Sequence, residues 1–185
     1  MKSGIIILTE LRGAVRARVL EIQRRFDPKL AATAAPHVTI TGSSGTGPIS
    51  SEMTEEELRA ALEPIARETE PMTLPFLRPM RFMQTNVVVL PLDPNGPIRA
   101  LHERIKSSGL RFAQPRFTFT PHVTLSFFRE LTVDDARALL ALRVDEPVMI
   151  DHLAAYLSVD ITNSKKLLEL SLGAKTAESS ARKVK

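Results

Sequence analysis

The tetrapeptide Pro-His-Val-Thr occurs twice in this chain, at residues 36–39 and 121–124, so that His37 and His122 fall in opposite halves. Ile40 and Thr41 follow the first copy. Leu125, Ser126 and Phe127 follow the second. Val, Ile, Thr and Phe favour extended structure, and the period is two, so each copy is predicted to lie on a β-strand. Side chains alternate faces along a strand, at steps of about 7 Å between neighbours on one face. His37, Thr39 and Thr41 then share one face, opposite Val38 and Ile40. His122, Thr124 and Ser126 share another, opposite Val123, Leu125 and Phe127. Pro36 and Pro121 fit at the strand entries, where a missing N–H costs least. A lone His-x-Thr would be an ordinary strand with a polar outer face. Recurrence of four identical residues in equivalent strand contexts instead marks a pair of equivalent sites.

The remaining pattern alternates strands and helices. An apolar run at residues 4–8 predicts a buried strand, and residues 11–26 have helical spacing, ended by Asp27-Pro28. Residues 42–51 are rich in Gly and Ser and are expected to form a flexible loop. Thr54, with Glu57 three positions on, predicts a capped helix running to about residue 68. Residues 72–83 and 86–92 look like a strand pair, followed by a turn at 93–97 and a helix at 98–108 closed by Gly109. The second motif strand is expected over 119–127, a helix capped by Thr132 over 132–142, and closing strands over 148–159 and 167–172. Strand, helix, motif strand and helix recur in the two halves, which points to a duplicated α+β architecture.

Composition bounds the reading further. With 185 residues, 43% hydrophobic and 25% charged, the chain is globular in class. It has no cysteine, which excludes disulfides and thiolate chemistry. The apolar run at residues 4–8 is too short for a signal peptide or a membrane span, so a cytoplasmic protein is expected. The net charge of +4 is concentrated at the end: residues 173–185 hold Lys175, Arg182, Lys183 and Lys185 against Glu178. That leaves 21 of the 25 basic residues against 20 of the 21 acidic ones in the body, residues 1–172. We expect one bilobal domain over 1–172 and a basic disordered tail over 173–185.

Two histidines with adjacent hydroxyls suit one reaction in particular. Opening a cyclic phosphodiester by in-line attack of water needs a base on one side of phosphorus and an acid on the other. Histidine serves either role because its ordinary pKa, about 6.5, leaves both forms accessible near neutrality. Thr39 and Thr124 are placed to hydrogen-bond the non-bridging phosphate oxygens. No metal or other cofactor is called for. No carboxylate sits at ligand spacing beside either histidine, and hydroxyls are poor ligands, which weighs against a metallohydrolase.

With these motifs the sequence resembles the 2H phosphoesterase superfamily, which is marked by two His-x-Thr-x motifs and includes 2′-5′ RNA ligase-like proteins and 2′,3′-cyclic phosphodiesterases. Asp27-Pro28 ahead of the first motif, and Phe117 and Phe119 ahead of the second, are similar to features of that family. The resemblance implies two pseudo-symmetric lobes of antiparallel strands with flanking helices around a central groove, one motif per lobe. It implies His37, Thr39, His122 and Thr124 as the catalytic positions. The implied substrates are RNA ends or nucleotides carrying 2′,3′-cyclic phosphates, and the implied activities are hydrolysis and 2′-5′ ligation. A binding module without turnover and a non-RNA cyclic phosphodiester remain open alternatives.

Further candidates for substrate contact are Thr41, Ser126, Arg116, Phe119 and Tyr156. Arg111, Phe117 and Phe128 are weaker ones. His102 is expected on a helix surface, and His152, with Ala154 two positions on, is given no chemistry. A monomer acting without membrane partners is the expected state.

Overall fold

The apolar run that opens the chain becomes β1 (Gly4–Glu10), an inner strand with neighbours on both sides. The computed structural model describes residues 4–159 and 163–173. The expected tail, residues 173–185, lies outside them apart from Gly173. In chain order the elements after β1 are α1 (Gly13–Phe26), α2 (Pro28–Thr33), β2 (His37–Thr41), α3 (Glu55–Glu68), β3 (Met72–Leu74), β4 (Met80–Arg81) and β5 (Val88–Pro91). They continue with α4 (Pro97–Lys106), β6 (His122–Ser126), α5 (Val133–Leu140), β7 (Val148–Ile150), β8 (His152–Ser158) and β9 (Ser164–Ser171). The fold is α+β with antiparallel sheets, ordered β2-β1-β8-β9, β4-β5-β6 and β3-β7.

Both motif strands are edge strands, β2 of the four-stranded sheet and β6 of the three-stranded one, and the two approach each other. The helices are exchanged between the sheets. α1 follows β1 but packs against β6, while α4 precedes β6 but packs against β2, with α3 against α4 and β9. Each motif strand is thus backed by a helix that the chain order places beside the other one. Val38, Ile40, Val123 and Leu125 are fully buried in one continuous apolar core. Burying each such side chain contributes about 1.5–3 kcal/mol.

The caps at Thr54 and Thr132 form as expected. Thr54 Oγ1 accepts from the Glu57 N–H at 3.2 Å while Glu57 accepts from the Thr54 N–H at 2.8 Å. Thr132 Oγ1 accepts from the Asp135 N–H at 3.1 Å. Several boundaries differ from expectation. The strand expected over 72–83 is cut into β3 and β4, in different sheets, by a stretch containing Pro75 and Pro79, neither of which can donate to a ladder. The strand expected over 148–159 divides at Asp151 into β7 and β8, also in different sheets.

The loop over 42–51 is stitched down rather than flexible. The Gly45 N–H donates to the Phe117 carbonyl at 2.9 Å, and Ile5 and Ile49 exchange backbone bonds of 2.8 Å. Gly45 must be glycine on two counts: its φ is +81°, and a Cβ there would lie 2.5 Å from the His102 ring. Among the described residues no helix is long and apolar enough to cross a membrane.

Candidate active site

The two motifs are built by the same local construction. In the first, Glu10, Thr9, Leu8 and Ile7 of β1 lie opposite His37, Val38, Thr39 and Thr41, with a register shift between Ile7 and Leu8. In the second, Pro91, Leu90, Val89 and Val88 of β5 lie opposite His122, Val123, Thr124 and Ser126, with a register shift between Val88 and Val89. The prolines close both ladders alike: the Leu11 N–H donates to the Pro36 carbonyl at 2.8 Å, and the Leu92 N–H to the Pro121 carbonyl at 2.9 Å. Burial repeats as well, with histidine and first hydroxyl half-buried and the residues between and after them sealed.

The histidines are oriented identically. His37 Nδ1 lies 2.8 Å from the Ala35 carbonyl and His122 Nδ1 lies 2.6 Å from the Thr120 carbonyl. A carbonyl only accepts, so each Nδ1 carries the proton and donates it. The neutral ring then has its lone pair on Nε2, and the cationic ring has an acidic proton there. Burial lowers both imidazole pKa values, against the backbone carbonyl that raises each one. His37 lowers His122 further, which places the two rings within electrostatic reach.

The surroundings break this symmetry. Opposite His37 stands a carboxylate, and cross-strand partners share a face, so Glu10 flanks the imidazole and raises its pKa. Burial would raise the Glu10 carboxyl itself. Donation from the Tyr156 hydroxyl and the ammonium of Lys166, 3.3 Å away, outweigh burial and hold the carboxyl below its ordinary value. Opposite His122 stands Pro91, and the edge of the Phe82 ring meets the imidazole at 5.2 Å between centroids. One motif has a charged flank and the other an apolar one.

Long-range bonds fix both strands. Gln23 Nε2 on α1 donates to the Thr124 carbonyl at 2.8 Å, and His102 Nδ1 on α4 bonds the Ile40 carbonyl at 2.7 Å. Asp27 accepts the Leu30 N–H at 3.1 Å on one oxygen and the Phe127 and Phe128 N–H groups, both at 2.7 Å, on the other. The Asp-Pro step therefore caps α2 and ties down the end of β6.

Of the residues singled out in the sequence, His37 and Thr39 lie on one of the two approaching edge strands and His122 and Thr124 on the other, and Tyr156 stands beside His37 through Glu10. Thr41 and Ser126 belong to the motif strands but are 0% exposed, their hydroxyls without hydrogen-bond partners among the described residues, so they are sealed from any substrate. Phe119 is buried and stacks on His102 at 3.9 Å between centroids. Arg116 lies with Phe119 at a separate cleft. His102 is not on a helix surface: it is 1% exposed and belongs to the same stripe as Ile98, Leu101 and Ile105. His152 is also buried, with Nε2 accepting the Glu10 N–H at 3.2 Å. Sequence reasoning missed Glu10, Phe82, Gln23 and Lys166. Glu10 had no local signal, because α1 and α2 separate β1 from β2 in the chain.

Two antiparallel sheets thus approach each other at edge strands that each carry a His-x-Thr motif. A model of the 2′-5′ RNA ligase superfamily matches residues 11–160, and the chain belongs to that superfamily, the 2H phosphoesterases. It is 30% identical over 129 residues to a "Putative phosphoesterase" of Geobacillus kaustophilus, a match covering 68% of each chain. It is 27% identical over 157 residues to another protein so named, from Bacillus pumilus, covering 82% of this chain and 86% of that one. Among solved structures it is similar in fold to Escherichia coli LigT complexed with 3′-AMP, with TM-score 0.58 and 16% identity over 94% of this chain and all of that one.

Proposed function

We propose that this phosphoesterase hydrolyses 2′,3′-cyclic phosphates of RNA ends or nucleotides by two-histidine acid–base catalysis. The observation that carries this is the matched pair of Nδ1–carbonyl bonds, which leaves both Nε2 atoms as the free proton-handling positions. The crystallised complexes of LigT with 3′-AMP and with ATP support a nucleotide as the bound group.

In this mechanism a water oxygen attacks phosphorus and gives its proton to one Nε2. The opposite P–O bond to the ribose breaks, and the departing oxygen takes a proton from the other Nε2. Thr39 and Thr124 donate to the non-bridging oxygens and hold the phosphate in line. Burial lowers both imidazole pKa values, and the flanks favour one assignment of the roles: Glu10 opposite His37 favours its charged form, and charge on His37 disfavours charge on His122. In this reading His37 is the acid and His122 the base. The same ring-opening with a 5′-hydroxyl in place of water, its proton going to the base and the acid protonating the departing ribose oxygen, joins two ends, so ligation would require a second RNA end held in place.

The test is hydrolysis of uridine and adenosine 2′,3′-cyclic phosphates in excess EDTA, with the product identified. Turnover insensitive to the chelator, giving one phosphomonoester isomer, is expected. Activity that the chelator abolishes contradicts the mechanism, and no turnover on any cyclic phosphate contradicts the substrate class.

A further inference from the structure

Away from the paired histidines, an open cleft of about 530 Å³ lies between α4 and the segment leading into β6. We propose that this cleft binds a backbone phosphate and an unpaired base of the RNA strand whose cyclic-phosphate end occupies the histidine groove. The inference rests on the cyclic-phosphate reading of that groove for the identity of the strand.

The charge of the cleft is local. Arg99 and Lys106 project from α4, Arg116 from the opposite wall, and the one carboxylate between them is Glu103, 3.7 Å from Arg99 and 3.5 Å from Lys106. Three cations therefore face one anion, on a protein body whose basic and acidic residues almost cancel. The Arg116 guanidinium has no carboxylate partner among the described residues, yet its backbone is fixed, the N–H donating to the Ser43 carbonyl at 3.0 Å. A guanidinium on a fixed backbone, without a carboxylate partner among the described residues and sharing a cleft with two further cations, is a phosphate-binding arrangement.

The aromatic residue is the second observation. Phe117 is 67% exposed although its carbonyl is bonded to the Gly45 N–H, so a fixed backbone presents this ring to water. Phe119 beside it is buried under Arg99, whose guanidinium lies 5.5 Å from the ring centroid. An exposed ring next to cations is how single-stranded nucleic acid is held without sequence preference, the base on the ring and the phosphate on the cations. The cleft is also near enough to the reacting end. Phe119 is three residues from His122, at most about 10 Å of chain.

The experiment compares the wild type with the Lys106→Ala/Phe117→Ala double variant, both side chains exposed, and with Arg116→Ala. Substrates are uridine 2′,3′-cyclic phosphate and a short oligouridylate ending in a cyclic phosphate. We expect unchanged kinetics of the double variant on the mononucleotide. On the oligonucleotide its KM rises about tenfold with kcat unchanged. The slope of log affinity against log salt becomes shallower by about 0.7 for each lost phosphate contact. Parallel losses on both substrates, or no loss on either, overturn the proposal. Binding of the 3′-phosphate-ended oligonucleotide, followed by fluorescence anisotropy, decides the matter even where no cyclic phosphate is hydrolysed. An unweakened complex in both variants overturns the cleft assignment, whereas absent hydrolysis with weakened binding overturns only the reaction. ATP bound with the same salt and variant dependence, while the oligonucleotide is not, would make this a free-nucleotide site and overturn the strand.

Discussion

Replacing Asp27 by alanine is expected to loosen the end of the second motif strand. Asp27 is buried and accepts three backbone N–H groups, from Leu30 at 3.1 Å and from Phe127 and Phe128 at 2.7 Å. The first bond is a helix cap, whose loss costs about 1 kcal/mol. The other two are short, charge-assisted bonds, and leaving their part-buried donors unpaired costs about 1.5 kcal/mol each. The sum, about 4 kcal/mol, corresponds in a chain of this size to a fall in Tm of about 10 °C. Asp27→Asn keeps one acceptor oxygen, so it preserves either the cap or the bonds to β6, and about 2 kcal/mol should be lost. Denaturant unfolding followed by circular dichroism measures both variants. Because β6 carries His122 and Thr124, kcat should also fall at temperatures where Asp27→Ala remains folded. A loss below about 1 kcal/mol for Asp27→Ala, with unchanged kcat, would refute the claim that this carboxylate positions the strand.

Glu10→Gln removes the charge that favours protonated His37, so the acid loses its proton more easily and the alkaline limb of the kcat/KM profile should move to lower pH. An unchanged alkaline limb, or a shift upward, would reverse the assignment of His37 as the acid. Gly45→Ala combines a φ of +81° with a Cβ 2.5 Å from a His102 ring that is stacked on Phe119 and bonded to Ile40. It should cost about 2 kcal/mol or more, and a variant as stable as the wild type in urea would show that the loop is free to move.

The motif strands were legible because period two and a repeated tetrapeptide are local signals. The alternation of Val38, Ile40, Val123 and Leu125 into the core follows from it directly. The caps at Thr54 and Thr132 were legible for the same reason. Pro75 and Pro79 could have divided the strand expected over 72–83, since neither can donate to a ladder. The burial of His102 could have been read too, because Ile98, Leu101, His102 and Ile105 form one helical stripe. What no local pattern carries is the exchange of helices between sheets, or the arrival of Glu10 opposite His37. Both depend on which sheet edge accepts a strand after two intervening helices. Thr41 and Ser126 show the opposite failure: the period put them on the motif face, but it does not say where along that face exposure to solvent ends.

The most direct test is turnover of uridine 2′,3′-cyclic phosphate by the wild type, His37→Ala and His122→Ala, each checked by thermal melting. The two-histidine account predicts that both variants melt close to the wild type and that neither turns over substrate above the blank. A folded variant that hydrolyses the cyclic phosphate at the wild-type rate would contradict it.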